Sequence, residues 1–305
     1  MSLLLILFIA AVLFLVTTSL VLLVIGPVML LNPHRRGKEY YAACSQPLSP
    51  ADLKLQFSDF WFQSTGTAQL HAWYIPANET ARGTILYLHG VGDNKIGGLP
   101  LAKVFHRHGF NVMLYDSRAH GMSEGKYCTY GYYERHDVKK AIDVLLERHD
   151  THSQTIGVFG TSMGAAIAVQ AAAIEARIAA VVAEGCFTNL RTITVDYQKR
   201  LIRLPWHFLR NLVMKRSEFL ADFDHHEVSP LQSVKNIHVP ILFIHGKNDT
   251  FIRYQYSEEL YAAANQPKEL YLIENASHTD IHQVARQEYE ERVVRFFETY
   301  LAGHH

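Results

Sequence analysis

The sequence predicts an α/β protein built on one mainly parallel sheet. Six short, nearly continuous apolar runs between residues 83 and 275 are typical of strands that are covered on both faces. Helical stretches alternate with these runs, which is the pattern of a parallel sheet flanked by helices. Two earlier segments, 53–64 and 68–77, alternate apolar and polar residues and predict an antiparallel edge of the same sheet.

A long uncharged run precedes the predicted sheet. Residues 2–31 contain no charged side chain, and a helix that spans a membrane needs about twenty apolar residues. A secretory signal peptide is the alternative, but the run begins without Lys or Arg, is too long, and ends in "GPVMLL", a poor cleavage site. The sequence therefore predicts a transmembrane anchor over residues 1–31, a linker over 32–52 and one domain over 53–303.

The charges that follow the anchor predict its orientation. Arg35, Arg36 and Lys38 come directly after the apolar run, whereas only the amino terminus is positive before it. The positive-inside rule then places the C-terminal domain in the cytoplasm.

Composition excludes little beyond a nucleic-acid partner. The 305 residues are 49% hydrophobic, which allows a sizeable core, and 29 basic residues balance 29 acidic ones. This balance gives no basis for nucleic-acid binding. Cys44, Cys128 and Cys186 are few and far apart, so they do not form a disulfide framework and are typical of a reducing compartment.

The segment from about 187 to 235 interrupts the alternation of strands and helices. It contains no strand-like run and predicts two helices that meet near Pro205, between the sixth and seventh strands. Residues 187–220 hold seven Lys or Arg and two Asp or Glu. The segment is either an amphipathic pair with a solvated basic face or a helical cap over the carboxyl edge of the sheet.

A serine lies between two glycines in the stretch "GVFGTSMGAA". Ile156 to Phe159 predict a buried strand, and a helix follows Ser162. A tight strand-to-helix turn that lifts a serine out of the sheet brings the backbone too close for side chains two residues before and after it. Gly160 and Gly164 occupy those positions, as in a nucleophile elbow.

A serine nucleophile needs a base, and the base needs a carboxylate to orient it. Catalytic groups of a parallel sheet gather outside the carboxyl ends of its strands, and Asp249 and His278 follow the last two predicted strands. The order Ser162, Asp249, His278 is the serine–acid–histidine order of such sheets. Asp116 also follows a strand, but it precedes the serine, so we expect it to brace its own turn together with Arg118.

Two backbone amides are candidates for an oxyanion hole. "LYLHGVGDN" ends a strand and enters a turn in which Gly90 lets the backbone approach a substrate oxygen closely. We expect the N–H groups of Val91 and Met163 to bind that oxygen, which is worth roughly 3–4 kcal/mol per donor in the transition state. His89 is expected to support the same loop.

These residues resemble the α/β-hydrolase superfamily of serine hydrolases. "LHGVGDN", "YDSRAHGMSEG", "GVFGTSMGAA", "ILFIHGKNDTFI" and "ENASHTD" match its successive landmarks, and the likeness covers roughly residues 53–303. The chain is similar to the branch that holds acylglycerol lipases, membrane-anchored acyl-protein thioesterases and serine aminopeptidases. That branch often has glycine where this chain has Ala119. The resemblance implies the α/β-hydrolase fold and the triad, but it does not imply a substrate.

The leading hypothesis is a membrane-anchored serine hydrolase that cleaves lipid-like carboxylic esters or thioesters through an acyl-enzyme, without a cofactor. A serine aminopeptidase-like peptidase is one alternative, although it requires an acidic pocket and the predicted cap is basic. A catalytically inactive hydrolase fold that serves as a membrane scaffold is another. The acyl length, the leaving group and the oligomeric state stay open.

The histidines invite a metal interpretation, which the spacing does not favour. His278 and His282 are four residues apart, but Thr279 stands where zinc proteases have their catalytic Glu. His225 and His226 have no companion carboxylates at metal-site spacing in the sequence. We therefore predict no metal.

The anchor and the cap together suggest the kind of substrate. Apolar residues of the cap, among them Trp206 and Phe208, alternate with basic ones, which is typical of a surface that contacts anionic lipid. The hypothesis is that an acyl chain drawn from membrane lipid passes under the cap to Ser162. In the alternative, the apolar face simply packs on the domain.

Overall fold

A computed structural model describes residues 2–78, 80–148, 155–201 and 207–301, with the backbone alone at 201, 207 and 208. In these ranges the chain forms one sheet. Its strands are β1 (Ser58–Gln63), β2 (Gln69–Ile75), β3 (Thr84–Leu88), β4 (Asn111–Tyr115), β5 (Ile156–Thr161), β6 (Ile178–Glu184), β7 (Ile241–Gly246) and β8 (Lys268–Ile273).

The strand order is β1-β2-β4-β3-β5-β6-β7-β8. β1 pairs with β2, and β2 with β4, in antiparallel register, and every other neighbouring pair is parallel. The predicted mainly parallel sheet with an antiparallel N-terminal edge is therefore confirmed. β5 lies between β3 and β6, so the loops that follow these three strands meet at one place on the carboxyl edge.

Eleven α-helices are described. They are α1 (Leu3–Leu20), α2 (Gly26–Leu31), α3 (Lys38–Ala43), α4 (Leu99–Arg107), α5 (Glu134–Glu147), α6 (Met163–Ala172), α7 (Leu190–Leu201), α8 (His207–Ala221), α9 (Pro230–Ser233), α10 (Gln255–Ala263) and α11 (Ile281–Leu301). A π-helical turn, Val21–Ile25, joins α1 to α2, and Arg286 interrupts α11 with a φ of +44°.

Helices cover both faces of the sheet, as the continuous apolar strands require. On one face, Phe105 of α4 and Phe297 of α11 belong to the same buried apolar cluster. On the other face, Val138 of α5, Ala165 of α6 and Leu260 of α10 belong to a second cluster.

The apolar N-terminal helix has two unlike halves. Leu3–Leu31 is long and apolar enough to span a membrane, and α1 buries no residue against the protein. At its other end, Pro27 and Leu31 of α2 are buried. A Cβ at Gly26 would lie 2.8 Å from a methyl group of Val213, so this glycine allows α2 to pack closely on α8.

The predicted helical cap is present between β6 and β7 as α7, α8 and α9. α7 packs beside the loop that follows β7, where Asp196 accepts hydrogen bonds from Arg253 and from the Tyr256 hydroxyl. Arg200 lies over the ring of Phe251 at 3.8 Å. Trp206 and the side chain of Phe208, on which the acyl-chain hypothesis drew, lie outside the described residues.

The turn after β4 is held differently from the expectation. Asp116 does not pair with Arg118; it pairs with the buried ammonium group of Lys95, at 2.6 Å, and Arg118 pairs with Asp137. Sequence proximity suggested the wrong partner because the loop after β3 brings Lys95 under the turn. Ala119 adopts a φ of +62° there, so the alanine keeps the left-handed backbone that glycine favours.

The buried pair predicts a large loss of stability in Lys95→Met. The substitution leaves the Asp116 carboxylate buried without its cation, which costs about 3–5 kcal/mol. Thermal or denaturant unfolding of the solubilised chain measures the effect. Lys140→Met removes a lysine from a more exposed pair with Asp143 and should cost less than about 1 kcal/mol. Equal losses in the two variants would contradict a special role for the buried pair.

Candidate active site

Ser162 has a backbone conformation that residues other than glycine rarely adopt. It has a φ of +54° and a ψ of −116° at the turn from β5 into α6. A Cβ at residue 160 would lie 2.2 Å from the Gly164 carbonyl oxygen, and a Cβ at residue 164 would lie 2.1 Å from that of Leu88. Both glycines are therefore required by close backbone contact, and the strained serine is lifted above the sheet edge.

The structure brings the three sequence-predicted catalytic residues into one hydrogen-bonded line. Ser162 Oγ lies 3.0 Å from His278 Nε2, and His278 Nδ1 lies 2.6 Å from Asp249 Oδ2. Because the carboxylate can only accept, Nδ1 carries the proton and Nε2 accepts from the serine hydroxyl. This tautomer is the one that a general base needs.

Other groups besides His278 hold Asp249 in place. Asp249 Oδ1, the oxygen that does not contact His278, accepts hydrogen bonds from the backbone N–H groups of Phe251 and Ile252. His245 Nε2 lies 3.1 Å from Asp249 Oδ2. Burial alone would raise the pKa of this carboxyl, but the hydrogen bonds from His245 and His278 hold the pKa well below its usual range. The carboxylate therefore stays charged.

His245 was not recognised in the sequence, although a signal exists. It precedes Asp249 by four residues in "HGKND", at the end of β7. Its Nδ1 lies 2.7 Å from Ser257 Oγ on α10, which fixes the ring. A histidine at a strand end, four residues before the predicted acid, could have been predicted to orient that acid.

The backbone N–H groups of the two predicted oxyanion donors are free of hydrogen bonds to the described residues. Met163 is the first residue of α6, and Val91 lies on the loop after β3, beside Ser162. Neither amide donates a hydrogen bond to another described residue. A Cβ at Gly90 would lie 3.3 Å from Ser162 Cβ, so the loop approaches the serine closely. The pair is available to bind a substrate oxygen.

Two buried histidines brace this loop from below. His89 accepts a hydrogen bond from the Ser117 N–H on Nε2, and its Nδ1 therefore donates to the Gly90 carbonyl oxygen. His120 Nε2 accepts from the Gly92 N–H at 3.1 Å. His89 was expected near this loop, whereas His120, which lies in the separate turn after β4, was not predicted.

The segment that leaves the N-terminal helix lies across the outside of the same loop. We call residues 31–41 the juxtamembrane strap. Its ends, Leu31 and Tyr41, are buried. The Arg36 N–H donates to the Gly92 carbonyl oxygen at 2.7 Å, and the Tyr41 hydroxyl donates to the Asp93 carboxylate. These contacts fasten the strap, which includes part of the predicted linker, to the loop that carries Val91.

A cavity of about 410 Å³ opens over Ser162 and His278. Its wall combines three parts: the loop after β3 (residues 89–94), which we name the oxyanion loop after its predicted donor Val91, the strap, and the cap. The lining side chains that sequence reasoning had not assigned to the site are Arg36, Asp93, Thr161, Glu184, Tyr197, Phe251 and Thr279. Asp93, Thr161, Phe251 and Thr279 lie within the motifs quoted above. Arg36, Glu184 and Tyr197 come from other segments, in which no local motif predicts them.

The histidines that were weighed as metal ligands have carboxylate neighbours after all. Asp224, His225 and His226 place one ligand atom each within 4.8 Å of one another, and Glu218 contacts His225 Nδ1 at 2.5 Å. The prediction that His225 and His226 lack companion carboxylates is therefore wrong. Glu218 was overlooked because it lies seven residues earlier, on α8. His282 also contacts a carboxylate, that of Glu290, at 2.9 Å.

The brace formed by His120 predicts a loss of stability in acid. Burial, with a smaller contribution from the nearby His89, lowers the pKa of His120 to about 3. An unfolded histidine titrates near 6.5, so the stability that neutral His120 contributes is complete above that pH and is lost as the pH falls towards the folded pKa. At pH 5 the loss is about 2 kcal/mol.

Unfolding of the solubilised chain at pH 7.5 and pH 5 measures this loss. His120→Gln removes the titrating group, and the difference in unfolding free energy between the two pH values should shrink by about 2 kcal/mol. The exposed His226→Gln is the control and should leave the difference unchanged. An equal pH dependence in wild type and His120→Gln would contradict the assignment.

Known proteins share this architecture. The family model described as "Serine aminopeptidase, S33" matches residues 79–229. YqkD of Bacillus subtilis is 32% identical over 235 residues, which cover 75% of each chain. The α/β-hydrolase domain-containing protein WAV2 of Arabidopsis thaliana is 28% identical over 262 residues, covering 84% of this chain and 83% of WAV2.

Among solved structures, the Pyrococcus furiosus esterase Pf2001 is similar with a TM-score of 0.73 and 27% identity. The match covers 89% of this chain and 98% of the esterase. The chain thus belongs to the α/β-hydrolase superfamily and shares a family with YqkD, and its residues 79–229 are similar to the model described as serine aminopeptidase, S33.

Proposed function

We propose that the chain is a serine hydrolase that cleaves carboxylic esters or thioesters through an acyl-enzyme. The observation that carries the proposal is the line from Ser162 through His278 to Asp249, together with the two unused backbone amides, Val91 and Met163, beside Ser162. A serine, a correctly protonated imidazole, a charged carboxylate and an oxyanion site are the parts that acyl transfer requires.

Each group has a defined part in the proposed reaction. His278 Nε2 removes the proton of Ser162 as its oxygen attacks the carbonyl carbon. The N–H groups of Val91 and Met163 bind the oxyanion, and Asp249 stabilises the imidazolium. His278 then protonates the leaving group, and a water molecule, deprotonated by the same nitrogen, hydrolyses the acyl-enzyme.

The cavity favours an ester over a free amino terminus. An aminopeptidase needs a carboxylate that binds an ammonium group, and Glu184 is a candidate because it lines the cavity. Its carboxylate, however, already accepts a hydrogen bond from the Tyr289 hydroxyl at 2.5 Å, and burial raises its pKa. Asp93, the other lining carboxylate, accepts hydrogen bonds from Tyr41 and Asn94 and lies 3.9 Å from Arg36, and Arg36 would repel an ammonium ion. Tyr197 and Phe251 supply apolar surface that suits an acyl chain.

An inactive scaffold is the proposal from another class, and the geometry argues against it. A fold that had lost catalysis would have no reason to hold Ser162 in a strained conformation within hydrogen-bonding distance of His278. Strain of this kind costs about 1–3 kcal/mol and persists where the surroundings enforce it.

The triad predicts the effects of three substitutions. Ser162→Ala should abolish hydrolysis and labelling by a fluorophosphonate probe without unfolding the chain. His278→Ala and Asp249→Asn should each lower kcat at least about 1,000-fold. The combined variant should be little worse than Ser162→Ala, because the triad acts as a unit. A panel of p-nitrophenyl esters of increasing acyl length, with thioester and aminoacyl-amide substrates beside them, supplies the readout.

Asp116→Asn provides the comparison for the acid. Its main effect should be a loss of thermal stability, with only a small fall in kcat, since Asp116 pairs with Lys95 rather than with His278. If kcat fell further in this variant than in Asp249→Asn at unchanged stability, Asp249 would not be the triad acid. Normal ester turnover in Ser162→Ala would exclude Ser162 as the nucleophile.

We also propose that α1 anchors the protein in a membrane. Its side chains are uncharged and mostly apolar, and none is buried by the rest of the described chain; Leu4 and Phe14 are among the exposed ones. In water such a helix would expose far more apolar surface than soluble proteins tolerate. Lipid removes that cost, and the following Arg35 and Lys38 favour a cytoplasmic domain.

This topology predicts the behaviour of the membrane fraction. An alkaline carbonate wash should leave the full chain in the membrane, because a spanning helix is not released by charge repulsion. An alkaline phosphatase fused to the C terminus should be inactive in a bacterial host, since that enzyme folds only outside the cytoplasm. An active fusion would reverse the proposed orientation, and release by carbonate would exclude the anchor.

A further inference from the structure

Arg36 contributes a guanidinium group to the wall of the catalytic cavity. The same cavity is lined by Ser162 and His278. The Arg36 side chain is 38% exposed, and its nearest carboxylate, Asp93, is 3.9 Å away, beyond hydrogen-bonding distance. Among the described residues, no acceptor bonds the Arg36 side chain. A guanidinium has five N–H donors, so this side chain can still donate to a group bound in the cavity.

The backbone of Arg36, not its side chain, fastens the juxtamembrane strap. Its N–H donates to the Gly92 carbonyl oxygen, and its own carbonyl oxygen accepts from Asn94 Nδ2 at 2.9 Å. The guanidinium is oriented separately, 4.5 Å over the ring of Tyr40. The side chain is therefore held in position without being used to hold the strap.

The acidic groups of the cavity make no hydrogen bond to the Arg36 side chain. Asp93 is only 18% exposed; its Oδ1 accepts from the Tyr41 hydroxyl and from the Asn94 N–H, and its Oδ2 forms only a long ion pair with Arg36, at 3.9 Å. Glu184 accepts from the Tyr289 hydroxyl, and burial favours its neutral form by raising its pKa. The remaining polar lining residues, Thr161 and Thr279, carry no charge. Arg36 is thus the basic side chain best placed to meet an anionic group.

The position of Arg36 also relates the cavity to the lipid surface. It follows Leu31, the last residue of the apolar helix, by five positions, which span at most about 17 Å. Because Leu31 is itself buried in the domain, Arg36 lies on the domain side of the apolar helix, within one short segment of the face that a membrane-spanning α1 would hold against lipid.

We propose that Arg36 forms an anion subsite of the catalytic cavity and selects acyl esters that carry a phosphate or carboxylate group. The inference rests on the proposed esterase function and adds the substrate class to it. A planar guanidinium pairs with either oxyanion through two parallel hydrogen bonds, so the shared chemistry is an anionic head group beside the scissile ester.

Pairs of substrates in which one member carries an additional anionic group test the subsite. The full chain in nanodiscs of neutral phosphatidylcholine is assayed on 1-octanoyl-glycerol 3-phosphate against 1-octanoyl-glycerol, and on the p-nitrophenyl monoester of glutaric acid against p-nitrophenyl valerate. The first pair probes phosphate and the second probes carboxylate. For each pair the measured quantity is the ratio of kcat/KM for the anionic substrate to that for the neutral one.

In Arg36→Gln this ratio should fall about 10- to 100-fold for at least one pair, mainly through KM. Arg36→Lys should keep an intermediate ratio, since it retains the charge but not the planar fork. Arg35→Gln, which removes a neighbouring exposed charge from the same strap, should keep the wild-type ratio. A ratio that is unchanged in Arg36→Gln, or that falls equally in Arg35→Gln, overturns the proposal.

A binding measurement separates the subsite from the proposed reaction. Ser162→Ala protein is titrated calorimetrically with octyl phosphate, octanoate and octanol. At least one anion should bind about tenfold more tightly than octanol, and Arg36→Gln in the same background should remove the difference. If this preference holds but the wild type hydrolyses neither member of a pair, the esterase function fails and the subsite stands. If the wild type hydrolyses esters but neither anion is preferred, only the subsite fails.

Discussion

The strained backbone of Ser162 is the constraint on which the site depends. A φ of +54° lifts the serine above the sheet, and it persists only because Gly160 and Gly164 allow main chains to touch where side chains would collide. The Ser162 N–H donates to the Glu184 carbonyl oxygen at 2.7 Å, which ties the turn to the end of β6. Since β5 lies between β3 and β6, the loops after all three strands must converge on this serine.

The elements that could be predicted are those whose pattern lies in one short stretch of the sequence. Apolar runs gave the strands, and a short motif gave Ser162 together with its glycines. Asp249 and His278 followed from chain order, because the carboxyl ends of parallel strands meet at one edge. The N-terminal helix was recognisable from length and the absence of charge alone. The same logic placed Val91 and Met163, since oxyanion donors are main-chain groups whose position follows from the turns.

The residues that were missed or misassigned depend on contacts between distant segments. His120 reaches the oxyanion loop from the turn after β4, and Arg36 reaches it from the N-terminal segment. Lys95 displaced Arg118 as the partner of Asp116, because a buried carboxylate takes the cation that the fold brings beneath it rather than the one nearest in sequence. Such pairings follow from the packing of loops, which hydrophobic periodicity does not encode.

The juxtamembrane strap links the apolar helix to the chemistry more directly than a flexible linker would. Leu31 is part of the core, Gly92 is pressed against the strap, and a Cβ at residue 92 would lie 2.5 Å from the His34 carbonyl oxygen. The oxyanion loop is therefore held between His120 on the inside and the strap on the outside. A loop fixed on both sides presents the Val91 amide without reorganisation, which is the condition under which such a donor is most effective in catalysis. A helix held in lipid would impose its orientation on the cavity through the same contacts, so the membrane surface and the nucleophile would keep a fixed relation.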